Sequence, residues 1–227
     1  MLREFVPGQV WLAEIPFSRL GFDIGARMTV IPLPDGSLFI HSPVALTPDL
    51  RRDVDALGPV RHLVAPSGMH YLHLAEWAEA YPDAQPYVAA GLRDKVKLPR
   101  RPELLSDAAP GAWADVIEQV AVQGNALYDE VDFFHRPSRT LVLTDLCFNV
   151  REDSSWSTRA WAAGLGVLGM LSSSRSFVVT IRDRPAARRT IERILAWDFD
   201  GVVIAHGDPV REDAKAQFRR AYAWLLR

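Results

Sequence analysis

Three polar residues that could do chemistry each follow an apolar run typical of a buried strand. Asp145 ends the run LVLT, His206 follows GVVIA, and His70 comes a few residues after RHLVA. Loops at the carboxyl ends of strands present side chains from a rigid base, so these three are candidate catalytic and metal-binding residues. Imidazole and carboxylate groups are ligands of zinc and iron, and three such ligands would leave a position open for water.

Each of these residues also has an ordinary structural interpretation. An Asp at a strand end is often a cap or turn residue, and a lone His after a strand is often structural or solvated. His73 would share a helix face with His70, and His41 ends the predicted strand SLFIH, so both are secondary candidates. Three further residues are predicted to be structural or inert: His62, His135 and Cys147.

Composition narrows the chemistry further. The 227 residues carry 26 Lys+Arg against 28 Asp+Glu, and the net charge of -2 argues against a nucleic-acid-binding surface. The single Cys excludes an intramolecular disulfide and any Cys-rich zinc module. A phosphate-binding P-loop and a nucleophile-elbow pentapeptide are both missing from the sequence. Any metal must therefore be held by His and carboxylate side chains.

The N-terminal half is predicted to begin with strands and to end with helices. A strand covers 9–15, and the strands MTVIPL and SLFIH flank Pro34-Asp35-Gly36, a turn signal that makes them a hairpin. Thr47-Pro48 is a helix-start signal, so a helix is predicted through Leu57. The strand RHLVA and a helix over about 70–80 follow it.

The C-terminal half repeats this order after a charged, Pro-rich surface connection over 93–110. The strand 86–89 is predicted before this connection. After it, strands are predicted over 116–122, 130–134, 140–145, 177–181 and 201–205, and helices over 184–197 and from 211 onward. Strands grouped before helices do not fit a doubly wound parallel sheet, whereas two mixed sheets packed face to face with helices outside do. No linker separates two halves, so we expect one domain over residues 1–227.

The most apolar segment is AWAAGLGVLGML, residues 160–171. It is shorter than the roughly 20 residues that a spanning helix needs. We predict a buried or interface helix that could join two copies of the chain; a membrane-surface or lid helix is the alternative. The N-terminus has no signal-peptide pattern, so we expect a cytoplasmic protein without a transmembrane span.

The order of elements resembles the metallo-β-lactamase superfamily over roughly residues 10–210. The segments that carry the resemblance are DGSLFIHSP, RHLVAPSGMHYLHLAEW, VQGNALYDEVDFF, RTLVLTDLCF and GVVIAHGDPV. The resemblance implies an α/β fold, a four-layer αββα sandwich of two mixed sheets. It also implies descent from metal-dependent hydrolases, of which this chain looks like a divergent branch.

The resemblance further implies which metal ligands remain. The bridging Asp of the family matches Asp145, its final His matches His206, and the last His of the motif His-x-His-x-Asp-His matches His70. The other family ligand positions then fall on Ala65, Ser67, Met69 and a residue near Asn125. The degenerate motif therefore implies at most one ion, zinc or iron, held by His70, Asp145 and His206.

Three kinds of function remain open on this basis. The first is a hydrolase with a single metal ion, and the second is a non-catalytic protein that uses the old cleft to bind a small molecule or partner. The third is a metal-free enzyme in which a His acts as general base and the Asp orients it. Aromatic residues near the cleft hint at an apolar pocket, although core packing is the simpler interpretation: Phe39, Tyr71, Phe148, Trp156 and Trp161.

Overall fold

Two mixed β-sheets form the centre of the protein in a computed structural model, which describes residues 1–125 and 127–227. Along the chain the strands are β1 (Arg3–Val6), β2 (Val10–Ile15), β3 (Ser18–Arg19), β4 (Phe22–Asp23), β5 (Ala26–Pro32), β6 (Leu38–His41), β7 (Val60–Ala65), β8 (Gln85–Val88), β9 (Glu103–Leu104), β10 (Ile117–Ala121), β11 (Val131–His135), β12 (Thr140–Val142) and β13 (Gly201–Val203). The larger sheet has the order β1-β2-β5-β6-β7-β8-β9 and the smaller one β10-β11-β12-β13. Strands β3 and β4 form a separate short hairpin.

Helices connect and cover these strands. They are α1 (Pro48–Asp55), α2 (Leu74–Ala80), α3 (Trp156–Leu165), α4 (Arg175–Thr180), α5 (Arg184–Ala196), α6 (Ala214–Ala221) and α7 (Ala223–Leu226), with a 3₁₀ turn at Ala90–Leu92. The parallel pairs β6–β7, β7–β8 and β12–β13 are joined through helices. Such crossovers bring the carboxyl ends of the joined strands to one edge of each sheet.

Local sequence signals explain the elements before the site. The β5–β6 hairpin turns where the Asp35 carboxylate accepts hydrogen bonds from the backbone and side chain of Ser37, and Gly36 adopts a φ of 81°. At the start of α1, Thr47 Oγ1 accepts from Leu50 N at 3.2 Å. The predicted hairpin and the predicted start of α1 are both confirmed.

Three apolar layers hold the sheets and helices together. Between the sheets, the ring of Phe39 packs edge to face against Trp113 and Phe133. Helices α1 and α2 bury Leu50 and Trp77 against the outer face of the larger sheet. Helices α5 and α6 do the same for the smaller sheet, with side chains that include Ile191, Ile194 and Phe218. The expected α/β fold, a four-layer αββα sandwich of two mixed sheets, is confirmed.

Two predicted elements are wrong. The predicted strand over 177–181 is helix α4, because the Ser174 hydroxyl accepts from Phe177 N and caps a helix that the β-branched residues alone would not favour. The second helix does not begin at His70 but at Leu74, so His70 lies in a loop. His70 and His73 therefore do not share a helix face.

The apolar segment 160–171 is likewise not one helix. Helix α3 starts earlier, at Trp156, and ends where Gly166 adopts a φ of 73°. The glycines of the segment have the spacing G-x-G-x-x-G, but they lie at the end of a helix rather than between a strand and a helix, so the phosphate-binding geometry of that pattern is not formed. Among the described helices, none has the length and apolar character required to cross a membrane.

Candidate metal centre

Three side chains converge at the carboxyl ends of β7, β12 and β13. His70 Nε2 lies 3.2 Å from Asp145 Oδ2, and His206 Nε2 lies 3.4 Å from Asp145 Oδ1. One ligand atom from each of the three residues lies within 4.8 Å of the other two. The side chains are 9%, 6% and 6% exposed for His70, Asp145 and His206. All three sequence-predicted residues are thus brought together in a nearly buried cluster.

The ring of His206 is fixed by one hydrogen bond and two stacked aromatic rings. Its Nδ1 donates to the carbonyl oxygen of Gly25 at 2.6 Å. Phe148 stacks on the ring at a centroid distance of 5.5 Å, and Phe17 lies on it at 6.4 Å. Because Nδ1 carries the proton in the neutral ring, the lone pair is on Nε2 and points toward Asp145.

The ring of His70 is fixed by a serine that directly follows the neighbouring strand. Ser42, directly after β6, adopts a φ of 53°, and its hydroxyl lies 2.9 Å from His70 Nδ1. The backbone N–H of His70 donates to Ser67 O at 3.1 Å and closes the turn that follows β7. These contacts leave Nε2 as the ring atom that faces Asp145.

Asp145 is positioned through its backbone by a buried glutamate. The Glu130 carboxylate accepts from Thr144 N at 2.5 Å and from Asp145 N at 3.0 Å, and Glu130 is 1% exposed. Glu130 also pairs with Ser67 in an isolated antiparallel bridge, and Val131 N donates to Pro66 O. One residue therefore ties the loop that carries Asp145 to the loop that carries His70.

The loop of His206 is held by a buried arginine. Arg27, 5% exposed, donates to the carbonyl oxygens of Ile204 and Gly207 and forms a salt bridge with Glu14 at 2.9 Å. Gly207 has a φ of 86°, and a side chain there would collide with the backbone carbonyl of Asn149. Charge-assisted hydrogen bonds of this kind are about twice as strong as neutral ones, so they fix the backbone on both sides of His206.

The cluster shifts the pKa of Asp145 and that of His70. Burial on its own would raise the pKa of Asp145, but the two imidazoles, His70 first, hold it well below its usual range. Burial would lower the pKa of His70, but the charge of Asp145 and its hydrogen bond raise it. Asp145 is therefore ionised, and its negative charge attracts a cation, which can be a proton on His70 or a metal ion.

The donor set fits a divalent metal ion. Two imidazole Nε2 atoms and a carboxylate are ligands that zinc and iron accept, and each ring has its other nitrogen hydrogen-bonded to a protein oxygen, the usual support for a metal-binding His. In the neutral form of His206, a lone pair on Nε2 faces a carboxylate lone pair 3.4 Å away, and a cation between them would relieve that contact.

The other positions singled out in the sequence do not provide ligands. Asn125 Nδ2 donates to Phe177 O and Thr180 Oγ1, and its Oδ1 accepts from two backbone N–H groups. Ser67 Oγ accepts from Met69 N, and Ala65 is buried in the core. Met69 lines the cleft, where its sulfur accepts a hydrogen bond from Arg19 at 3.6 Å.

The remaining histidines and the cysteine lie outside the cluster. His41 is buried against Phe133, and burial lowers its pKa to about 3. His73 lines the cleft, and its Nδ1 pairs with Glu76 at 3.0 Å. The other three are buried, as their predicted structural roles require: His62, His135 and Cys147, whose thiol pKa is raised by burial.

Above the cluster lies a cleft of about 330 Å³. Of the aromatic residues expected there, Tyr71, Phe148 and Trp161 line it, whereas Phe39 belongs to the core and Trp156 is on the surface. Sequence reasoning missed Ser42, Glu130 and Arg27. Ser42 could have been found from its place at the end of a strand, but nothing local marks the other two.

The fold and the cluster together define a class: this chain has a metallo-β-lactamase-like sandwich fold. The DIM-1 metallo-β-lactamase superposes with a TM-score of 0.67 at 13% identity, over 99% of this chain and 96% of that one. A metallo-β-lactamase from Pontibacter korlensis gives 0.65 at 12% identity, over 99% and 98%. FIM-1 from Pseudomonas aeruginosa, in a mono-zinc form, gives 0.64 at 10% identity, over 100% and 96%.

A protein family is identified from the sequence itself. A model of the family Domain of unknown function (DUF4336) matches residues 7–165, and the chain belongs to this family. No curated protein matches the sequence.

Proposed function

We propose that the protein is a metallo-β-lactamase-like hydrolase that uses one divalent metal ion, zinc or iron, held by His70, Asp145 and His206. The observation that carries the proposal is the convergence of two Nε2 atoms and a carboxylate in one buried cluster. Each ring is fixed from behind by its own hydrogen bond, which is how proteins orient metal-binding histidines. The mono-zinc form of FIM-1 supports a one-ion site within this fold.

The replaced positions support one ion rather than two. The degenerate motif assigned by resemblance leaves Ala65 without a ligand atom, and the side-chain atoms of Asn125 are occupied by hydrogen bonds within the protein. Ser67 is held in the bridge to Glu130. The two halves of an ancestral two-metal site have therefore diverged, and one half keeps its ligands.

When bound, the ion would supply Lewis-acid chemistry, lowering the pKa of a water and polarising a scissile bond. The chain's own residues orient the groups that would hold the ion. Ser42 and the Gly25 carbonyl fix the two rings, and Glu130 and Arg27 fix the backbone beside Asp145 and His206. The apolar walls of the cleft keep bulk water away, which strengthens every charge interaction inside.

Metal analysis of the full chain, purified without chelators, tests the proposal. We expect close to one zinc or iron per chain in the wild type, with loss of that metal in His206→Gln. His73→Gln is the matched control, because His73 lines the same cleft without facing Asp145. Hydrolase activity is measured with a panel of ester, thioester and lactam substrates. The assay uses the metal-loaded wild type and the same two variants.

Two outcomes would contradict the proposal. Protein that takes up no zinc, iron or cobalt in a titration would exclude the metal and would favour the metal-free or the non-catalytic alternative. Metal that is retained equally by His206→Gln and His73→Gln would place the ion elsewhere.

A single domain over residues 1–227 is part of the same proposal, because strands of the larger and the smaller sheet share one buried layer, with Phe39 and Phe133 in contact. One calorimetric unfolding transition is the expected result.

A further inference from the structure

The walls of the cleft above the candidate metal centre are largely apolar. They come from β2, from loops beside the two sheets and from α3, and include Ile15, Ile24, Val44, Phe148, Trp161 and Leu165. Ligand pockets of this size typically surround an apolar ligand body and fix it with a few polar groups. Because apolar surface gains free energy when it leaves water, these walls favour a ligand with an apolar body.

The rim of the cleft continues this apolar surface into solvent. Leu20, Leu72 and Leu127 all line the mouth, and they are 86%, 68% and 56% exposed. They come from three separate segments: the β3–β4 hairpin, the loop before α2 and the loop after β10. A single exposed leucine needs no explanation, but three that converge on one opening form a patch of the kind that binds an apolar partner.

One positive charge lies on this apolar surface. Arg19, on β3, lines the cleft, and within the described residues its side-chain hydrogen bond is to a thioether, Met69 Sδ at 3.6 Å. It is close enough to the cluster for its charge to oppose protonation of His70. A guanidinium whose neighbour is a sulfur atom keeps most of its donors for an anionic group of a ligand.

From these observations we propose that the cleft binds an amphipathic acyl compound, with its apolar chain along the walls and an anionic oxygen group, such as a carboxylate, on Arg19. This inference rests on the proposed function, since it names the substrate class of the same site. The chain contacts Phe148, Trp161 and the rim leucines, and the anion stays near the mouth, where it remains partly hydrated.

Displacement of a fluorescent fatty acid, cis-parinaric acid, tests binding without requiring turnover. The competitors are acetate, octanoate and dodecanoate for the chain, and dodecanol and dodecyl phosphate for the head group, all in the presence of a chelator so that no metal holds the anion. We expect affinity to rise by up to about fourfold for each added methylene. Dodecanol should bind about fivefold more weakly than dodecanoate, as a partly exposed ion pair predicts.

Two matched pairs of variants assign the effect to the cleft. Arg19→Gln should remove the preference for dodecanoate over dodecanol, whereas Arg101→Gln, an exposed arginine outside the cleft, should keep it. Leu72→Ser should weaken dodecanoate binding. Val179→Ser is the control and should not, because Val179 is equally an exposed apolar residue, 79% exposed, but lies outside the cleft. Dodecyl phosphate that binds more tightly than dodecanoate would assign the anion to a phosphate.

The inference is overturned if affinity does not depend on chain length, or if the members of each pair behave alike. Binding to phosphatidylserine vesicles without any binding of the free acids would overturn it in favour of a membrane surface. Its failure is distinct from that of the proposed function. Acid binding without metal binding contradicts only the hydrolase, and metal binding without acid binding contradicts only the substrate class.

Discussion

Two groups of side chains lie near the same end of the strands and differ in where their polar atoms point. His70, Asp145 and His206 turn two ring Nε2 atoms and a carboxylate toward one another. In the second group, Asn125 makes four hydrogen bonds to the protein, Ser67 bonds to its own turn, and Ala65 has no polar side chain. A residue at a metal-ligand position of the fold is therefore not necessarily a metal ligand. Its donor atom must also be free of hydrogen bonds to residues outside the cluster, and it must lie close enough to the other donor atoms to bind the same ion.

The first group is also the one with buried charged supports. Glu130 holds the backbone of Asp145, and Arg27 holds the carbonyl oxygens on both sides of His206. Each support is a buried charge, which is costly unless it forms several hydrogen bonds. In the second group Ser67 bonds within its own turn, and Asn125 joins the loop after β10 to α4 through uncharged hydrogen bonds. Variants of each group should therefore separate metal binding from stability.

The largest effect is expected from Asp145→Ala. This change removes the only carboxylate of the described cluster, and zinc affinity should fall by more than about 100-fold, beyond the range typical of residues that merely support a ligand. Isothermal titration with zinc measures the affinity, and circular dichroism checks that the fold persists. Zinc affinity that stays within a few-fold of the wild-type value would contradict the assignment of Asp145 as a metal ligand.

Asn125→Ala should show the opposite pattern. The side chain is 5% exposed, and its loss removes the acceptor of the Leu127 and Tyr128 N–H groups and one of the donors to the Phe177 carbonyl. We expect the free energy of unfolding to fall by about 2 to 4 kcal/mol. Urea denaturation measures this, and zinc affinity of the folded variant should be unchanged. A loss of zinc binding at full stability would show that Asn125 belongs to the metal centre after all.

A smaller effect on metal binding is expected from Glu130→Gln. The new amide keeps one acceptor oxygen and turns its NH2 group toward the other of the two N–H groups, those of Thr144 and Asp145. The Asp145 loop should therefore shift, and zinc affinity should fall by about 10- to 100-fold. Glu103→Gln, on the edge strand β9, is the control and should bind zinc as the wild type does. If the two variants bind zinc equally well, Glu130 has no positioning role.

The smallest effect concerns a histidine outside both groups. Burial lowers the pKa of His135 to about 4, whereas an unfolded His titrates near 6.5. The unfolded state therefore takes up the proton first, and stability is lost as the pH falls from about 6.5 toward 4. His135→Asn should reduce the loss between pH 7 and pH 5.5 by about 1 kcal/mol. Parallel pH profiles for the variant and the wild type would contradict the assignment.

The sequence predicted those parts of the fold that local signals determine. Pro34-Asp35-Gly36 and Thr47-Pro48 act within a few residues, and both operate in the structure as expected. The segment 177–181 was misassigned because its β-branched residues favour a strand, while a cap three residues earlier favours a helix. The strand preference of these residues and the helix preference of the cap are both weak, so tertiary contacts decide between them. Those contacts cannot be read from the local sequence.

In the candidate site, too, features determined by the local sequence could be predicted and those determined by distant contacts could not. The three site residues could be found because each follows an apolar run at a strand end. Their supports could not, because Glu130 acts on a residue 15 positions away and Arg27 on a carbonyl 177 positions away. No pattern in the neighbourhood of Arg27 signals such a contact. Only the packed fold brings the two charges to the site.

We propose that His70, Asp145 and His206 hold one metal ion and that the replaced positions hold none. The most direct measurement is X-ray diffraction from zinc-soaked crystals, recorded above and below the zinc absorption edge. We expect a single strong anomalous peak within bonding distance of His70 Nε2, His206 Nε2 and the Asp145 carboxylate. Either an absent peak or a peak beside Ser67 and Asn125 would contradict it.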